Sequence, residues 1–183
     1  FVILLLIVGL VGTVSAEETL HFHENETSGT TVFDYSGFGN DGTTHGSLTQ
    51  GVTGISKPEG DWGGGLSYSF DGNDDYITVP SSDSVDFSNE DFSLSAWVYP
   101  DNLDNNARVF SKGESDSGYA IYWKTADQRS LSVPGFDAQV DDGSNPRYAD
   151  SNPKEITADS QSWHFVSFTW DDSENEGCIR VDN

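Results

Sequence analysis

The sequence predicts an all-β fold, an antiparallel jelly-roll sandwich, and three observations carry that expectation. Residues 92–99 alternate strictly, with Phe92, Leu94, Ala96 and Val98 on one face and Ser93, Ser95, Trp97 and Tyr99 on the other. That is the period of a half-buried strand. Short runs of aromatic and β-branched residues recur along the chain, bounded by Gly, Pro or Asp turns, as in sandwiches and barrels. No helix-period segment and no internal repeat lies beyond residue 16.

Residues 20–23 read as the first strand. Gly37, Gly39, Gly42, Gly46, Gly51 and Gly54 then mark a long loop, and residues 60–65 a second glycine-rich turn carrying Trp62. Residues 66–70 and 75–79 alternate around Asp71-Gly-Asn-Asp74, which is turn chemistry for a hairpin. Strands are expected next at 91–99, 107–112, 118–124 and 129–133. Residues 135–159, rich in Asp, Pro, Ser and Asn, read mostly as loop with one weak strand near 147–149. Strands resume at 163–170 and 177–182, on either side of an acidic turn. The expected core is Phe70, Ile77, Phe92, Leu94, Ala96, Val98, Phe165 or Val166, and Ile179.

A chain of 183 residues is long enough for one domain with a real core. Asp and Glu number 31 against 8 Lys and Arg, for a net charge of −23, and every one of these residues lies after Ala16. Such an excess can mean disorder, but the 13% aromatic content and the strand periodicity predict a folded domain. The acid is dispersed rather than gathered in a tail, so its self-repulsion is strongly screened only in concentrated salt, where the Debye length falls to about 3 Å. This reads as a halophile's exported protein, with an ordinary acidic extracellular module as the other source. Nucleic acid and anionic membrane surfaces would be repelled, so neither is an expected partner. The apolar run from Phe1 to Gly12, followed by Thr13-Val-Ser-Ala16, reads as a secretory signal without its basic n-region. Residues 1–16 are then the signal and 17–183 the mature sandwich, incomplete at its C-terminal end. A membrane anchor is the alternative, although the run is well short of the ~20 residues that span a bilayer. A single Cys178 precludes an intrachain disulfide.

The segments "DYSGFGNDGT" at residues 34–43, "GGGLSYSFDGNDDYITVP", "DFSLSAWVYP" and "SWHFVSFTWDDSENEGCIRVDN" resemble, in that order, the laminin-G-like domains of the concanavalin A-like lectin/glucanase superfamily. The resemblance runs from about residue 20 to the last residue. It implies a sandwich that hosts many roles, an extracellular location, and recognition of carbohydrate or a glycosylated surface. It also implies a structural Ca2+ held in part by Asp34 and Asn40. Their loop gathers the oxygen donors and glycines that a hard cation requires, and a plain Asx turn explains the same residues. Laminarinase-type members carry Glu-x-Asp-x-x-Glu on a strand, which sets two carboxylates about 5 Å apart at a glycosidic bond. No expected strand has that spacing, so a non-catalytic module is expected.

Tyr119, Tyr122, Trp123 and Tyr148 are the candidate sugar platform, because aromatic faces cover the apolar C–H faces of sugar rings. Trp97 belongs with them, and core packing competes for all of these rings. Asp71 to Asp75 read as a solvated turn. His21 and His23 share one strand face but lack a third ligand at metal spacing. Asn25-Glu-Thr27 is a glycosylation sequon. The expected function is a secreted or cell-surface binding and adhesion module for a glycan or surface glycoprotein. A structural spacer, or an accessory domain of a secreted glycoside hydrolase, are the alternatives. Charge repulsion also predicts salt dependence: the melting temperature should be higher in about 2–3 M than in about 0.1 M potassium chloride. An unchanged or lower value in concentrated salt contradicts the halophile reading.

Overall fold

The computed structural model describes residues 2–4, 17–55, 65–87, 90–100, 107–113, 118–124, 135–141, 146–149 and 161–182. Its largest sheet has six strands in the order β13 (Glu176–Val181), β12 (His164–Asp171), β7 (Phe92–Tyr99), β1 (Val2–Leu4), β5 (Leu66–Ser69) and β4 (Thr49–Thr53). A four-stranded sheet runs β11 (Pro146–Ala149), β10 (Gly135–Asp141), β9 (Gly118–Lys124) and β8 (Ala107–Lys112). A three-stranded sheet runs β2 (Thr31–Val32), β3 (Gly42–His45) and β6 (Tyr76–Thr78). All strand pairs are antiparallel. Among the described residues no helix is long and apolar enough to cross a membrane.

The alternation at 92–99 acts as expected. Register pairs Phe92 with Trp170, Leu94 with Phe168, Ala96 with Val166 and Val98 with His164, so both strands turn their alternate side chains inward together. Ile179 on β13 faces Phe168. From the opposing sheet come Trp123 paired with Phe136 and Ile121 paired with Ala138, all buried. Ring contacts join the two sheets: Phe92 with Tyr119 at 5.0 Å and Phe136 with His164 at 6.3 Å. Ring pairs of this kind add roughly 0.5–1.5 kcal/mol beyond the area they bury. A 3-10 turn at Asp83–Val85 closes one end, where Val85 offers its carbonyl to Lys112 Nζ at 2.7 Å.

Phe92, Leu94, Ala96, Val98, Val166 and Ile179 are buried as expected, while Phe70 and Ile77 pack half-buried at the core margin. Phe165 is also half-buried, against Trp97 at 5.3 Å. Several expectations need correction. The 66–79 segment is not a hairpin, because β5 pairs with β1 and β4 whereas β6 pairs with β3. Between them the Asp75 carboxylate accepts from Asp71 N at 2.9 Å and from Ser47 N at 2.7 Å, fastening the turn to the 46–47 loop. Gly46 is required there, since a Cβ would lie 2.4 Å from Asp75 Oδ1 at a φ of +78°. Residues 20–23 are not a continuous strand; His21 and Phe22 are bridge residues, Phe22 pairing with Asp34. The expected loop at 37–54 contains β3 and β4, and that at 135–159 contains β10. Cys178 is half-buried rather than buried. The expected signal at residues 1–16 is not among these corrections; Val2–Leu4 within it pair as β1 with β5 and β7. Residues 5–16, Trp62 and the strand expected at 129–133 lie outside the described residues.

Candidate functional site

The small sheet and its flanking loop are built around Asp34. Its Oδ1 accepts from His21 N at 3.0 Å and Ser36 N at 2.9 Å, and its Oδ2 from Ser36 Oγ at 2.8 Å and Asn40 N at 2.8 Å. Partial burial acts to raise its pKa, but these four donors together outweigh that and hold the carboxyl below the usual range. Asn40 is buried. Its Nδ2 donates to Thr19 O at 2.8 Å and Ser84 Oγ at 2.9 Å, and its Oδ1 accepts from Ser82 Oγ at 2.7 Å. In this structure the oxygens of the pair expected to hold Ca2+ accept from protein donors.

The loop thus held carries an aromatic fringe onto an aromatic sheet face. Register aligns Thr31, Thr43 and Thr78 across the three strands, and His45 with Tyr76. The alternate residues Val32, Gly42 and Ile77 turn inward. His45 and Tyr76 stack at 4.5 Å and 11°, and His45 Nε2 lies 2.9 Å from Thr78 Oγ1. Beyond them stand Phe33, Tyr35 and Phe38, exposed by 50, 54 and 43%, with Tyr76 exposed by 52%. Tyr35 rests on the ring of His23 at 4.3 Å. Burial, reinforced by neighbouring His21, keeps the His23 imidazole below its ordinary pKa, so it meets Tyr35 as a neutral ring near pH 7. From Asp41 to His45 the strand spans about 13 Å at ~3.3 Å per residue, a length suited to an oligosaccharide rather than one sugar ring.

The aromatic residues singled out from sequence fall elsewhere. Trp123 is 1% exposed and belongs to the core, so it is corrected from ligand contact to packing; strand alternation put its ring inward. Tyr119 is held in a cluster with Phe87 and Phe92, where burial and Asp86 push its phenol pKa well up. Tyr122 faces outward, but Arg108 at 5.8 Å and Lys124 at 5.6 Å already cover its ring. Tyr148 pairs with Gln139 on the outermost strand of its sheet. Register places Tyr122 and Tyr148 on one face of the four-stranded sheet and Tyr119 and Trp123 on the other, so the four do not share one platform. The residues that do form one were missed because Thr31-x-Phe33, Thr43-x-His45 and Tyr76-x-Thr78 sit on strands too short to show periodicity. Their signal was aromatic rings alternating with threonine rather than with core residues.

Ser162 Oγ lies 3.1 Å from His164 Nε2, and His164 Nδ1 lies 2.7 Å from Asp182 Oδ2. This is the bond order of a nucleophile triad, but here it fastens strand ends. Asp182 Oδ1 accepts from Phe165 N at 2.9 Å, and Asp182 N donates to Phe165 O at 2.9 Å. Asp71, Asp74 and Asp75 bring ligand oxygens within 4.8 Å of one another. They form a turn in which Asp71 and Asp75 accept from the local backbone and Asp74 stands exposed.

The Asp34 bonds generate a pH prediction. A carboxyl lowered on folding stabilises the fold above its unfolded pKa of ~3.9 and loses that contribution as pH falls through the folded value. Asp34→Asn should therefore cost about 1–3 kcal/mol at pH 7, and the difference from the parent should shrink between about pH 4 and pH 2. Urea unfolding of both chains at neutral and acidic pH checks this. Equal stability at pH 7, or a difference independent of pH, contradicts it.

No curated protein and no solved structure matches the chain significantly. A family model described as the concanavalin A-like lectin/glucanases superfamily, of the laminin-G type, matches residues 71–181. Those residues hold β6 through β13, including the whole of the four-stranded sheet and the β7–β12–β13 half of the largest one. The chain belongs to the concanavalin A-like lectin/glucanases superfamily.

Proposed function

We propose that this chain is an exported, non-catalytic binding module that takes a neutral saccharide across the outward face of the β2–β3–β6 sheet. One observation carries the reading. The large apolar side chains exposed among the described residues, Phe33, Tyr35, Phe38 and Tyr76, all belong to this face and its fringe loop. Exposed apolar groups gathered in one place mark a binding surface, and rings interleaved with threonine hydroxyls suit a ligand with C–H faces and hydroxyls. Asp41, Asp74 and Asp75 at the rim, on a chain of net charge −23, favour a neutral sugar over a sulfated or uronate one. Family membership supports a lectin-like or adhesive role. A glycan or the glycans of a surface glycoprotein are the fitting partners, and a plain spacer or an accessory domain beside an enzyme would have no need of such a face unless it also bound sugar. A structural calcium ion belongs to the same reading, as a support for the fold rather than a participant in chemistry.

Calorimetric titration with soluble neutral polysaccharides, a β-glucan, a mannan and a galactan, tests the proposal. Saturable binding to at least one is expected. Tyr76→Ala and Phe33→Ala should each weaken it about 5–10-fold, the roughly 1–1.4 kcal/mol of one lost stacking contact, without a matching loss of thermal stability. Tyr122→Ala should leave it unchanged. No binding to any of the three, or a loss confined to Tyr122→Ala, contradicts the reading.

A further inference from the structure

Besides the Asp34–Asn40 loop, another group of oxygens gathers around Tyr68. Glu24 is 3% exposed, and its Oε2 has no hydrogen-bond partner among the described residues. The Tyr68 backbone N–H donates to the Glu24 carboxylate. Glu26 lies close enough to act on Glu24 electrostatically, and its Oε2 accepts from the Tyr68 hydroxyl at 2.5 Å. Its Oε1 accepts from Phe33 N at 3.1 Å. The Gln50 side-chain amide faces the Tyr68 hydroxyl, and its Nε2 is likewise buried without a partner. Two carboxylates, a phenol and an amide thus converge beside β4 and β5.

We infer that Glu24, Glu26, Tyr68 and Gln50 form a binding site for one Ca2+ ion. The chemistry of the donor set points there. A buried carboxylate oxygen with no donor beside a second carboxylate is costly, and one hard divalent cation satisfies both charges at once. Tyr68 donates its proton to Glu26 and keeps an oxygen lone pair. The Gln50 amide needs only to turn over to present its carbonyl instead of its nitrogen, two groups of nearly the same shape. Glu26 and Gln50 are half-buried, which leaves an open side for the ion to enter and for water to complete its 6–8 oxygen ligands. Burial and the neighbouring Glu26 push the Glu24 carboxyl well above the ordinary range, the expected effect of burying a carboxylate with no counter-charge.

This inference deepens the calcium part of the proposed function and is independent of the saccharide face. The test is calcium titration of the chelator-treated full chain, followed by calorimetry and thermal melting. Calcium at about 100 times its dissociation constant should raise the melting temperature by roughly 5–10 °C. Magnesium at equal concentration should do much less, because it demands tighter octahedral geometry. Glu24→Gln and Glu26→Gln should each abolish the calcium-specific rise, whereas Asp74→Asn, on the exposed turn, should keep it. Both Gln variants retain the side-chain shape, and Glu24→Gln removes the buried acid, so their metal-free melts should stay cooperative. A calcium rise that survives both Gln variants, that falls with Asp74→Asn, or that magnesium reproduces overturns the assignment, as does no rise at all. Neutral polysaccharide affinity, measured on the same samples, distinguishes failure of this site from failure of the aromatic face.

Discussion

The pairing of β7 with β12 is the constraint on which the rest of the molecule depends. Both strands alternate, and their register sets Phe92, Leu94, Ala96 and Val98 against Trp170, Phe168, Val166 and His164. A slip of one residue would turn that whole set outward and bring Ser93, Ser95, Ser167 and Thr169 into the core. With the register fixed, the inner face of the largest sheet meets Tyr119 and Phe136 of the opposing one. The aromatic contacts at 82–92 then seal one end, with Phe87 on Phe92 at 5.2 Å. The small sheet is tied to this body through Asn40, which reaches residue 19 on one side and the 82–84 turn on the other.

What the sequence discloses follows the length of its periodic runs. Eight alternating residues at 92–99 specify a strand, its inward face and its partner's face at once. The two to four residues of β2, β3 and β6 carry no usable period, so their glycines read as loop even though Gly42 packs inward between them. The turn at 71–75 has hairpin chemistry, and local chemistry alone cannot show that Asp75 also binds Ser47. That long-range bond accompanies the pairing of β6 with β3 rather than with β5. The aromatic candidates failed for a related reason: composition shows that rings are present, while only register shows which face each one takes. Trp123 went inward, Tyr122 outward beneath two cations, and the rings that remain open lie on strands too short to read.

Acidity and function are reconciled by where the charges sit. Most carboxylates are exposed, and several of them serve as acceptors for backbone N–H groups in turns, as with Asp71 toward Asn73 and Asp171 toward Glu174. Such bonds let a chain rich in Asp organise its loops with few cations. Glu24 stands apart, since it is buried, lacks a donor at one oxygen and is strained at a φ of +53°. Natural proteins keep such features where a ligand or a switch offsets them. On the proposed reading the aromatic face meets the outside partner, and the Glu24 site steadies the strands beneath β4 and β5.

The central claim, that the outward face of the β2–β3–β6 sheet is the ligand surface, is tested most directly by amide chemical-shift mapping. An isotopically labelled sample is titrated with a short neutral oligosaccharide cut from whichever polysaccharide binds. The account predicts saturable shifts that cluster at Thr31, Phe33, Thr43, His45, Tyr76 and Thr78, with Tyr122 and Gln139 unmoved. Shifts centred on Tyr122 and the four-stranded sheet, or spread evenly without saturation, would contradict it.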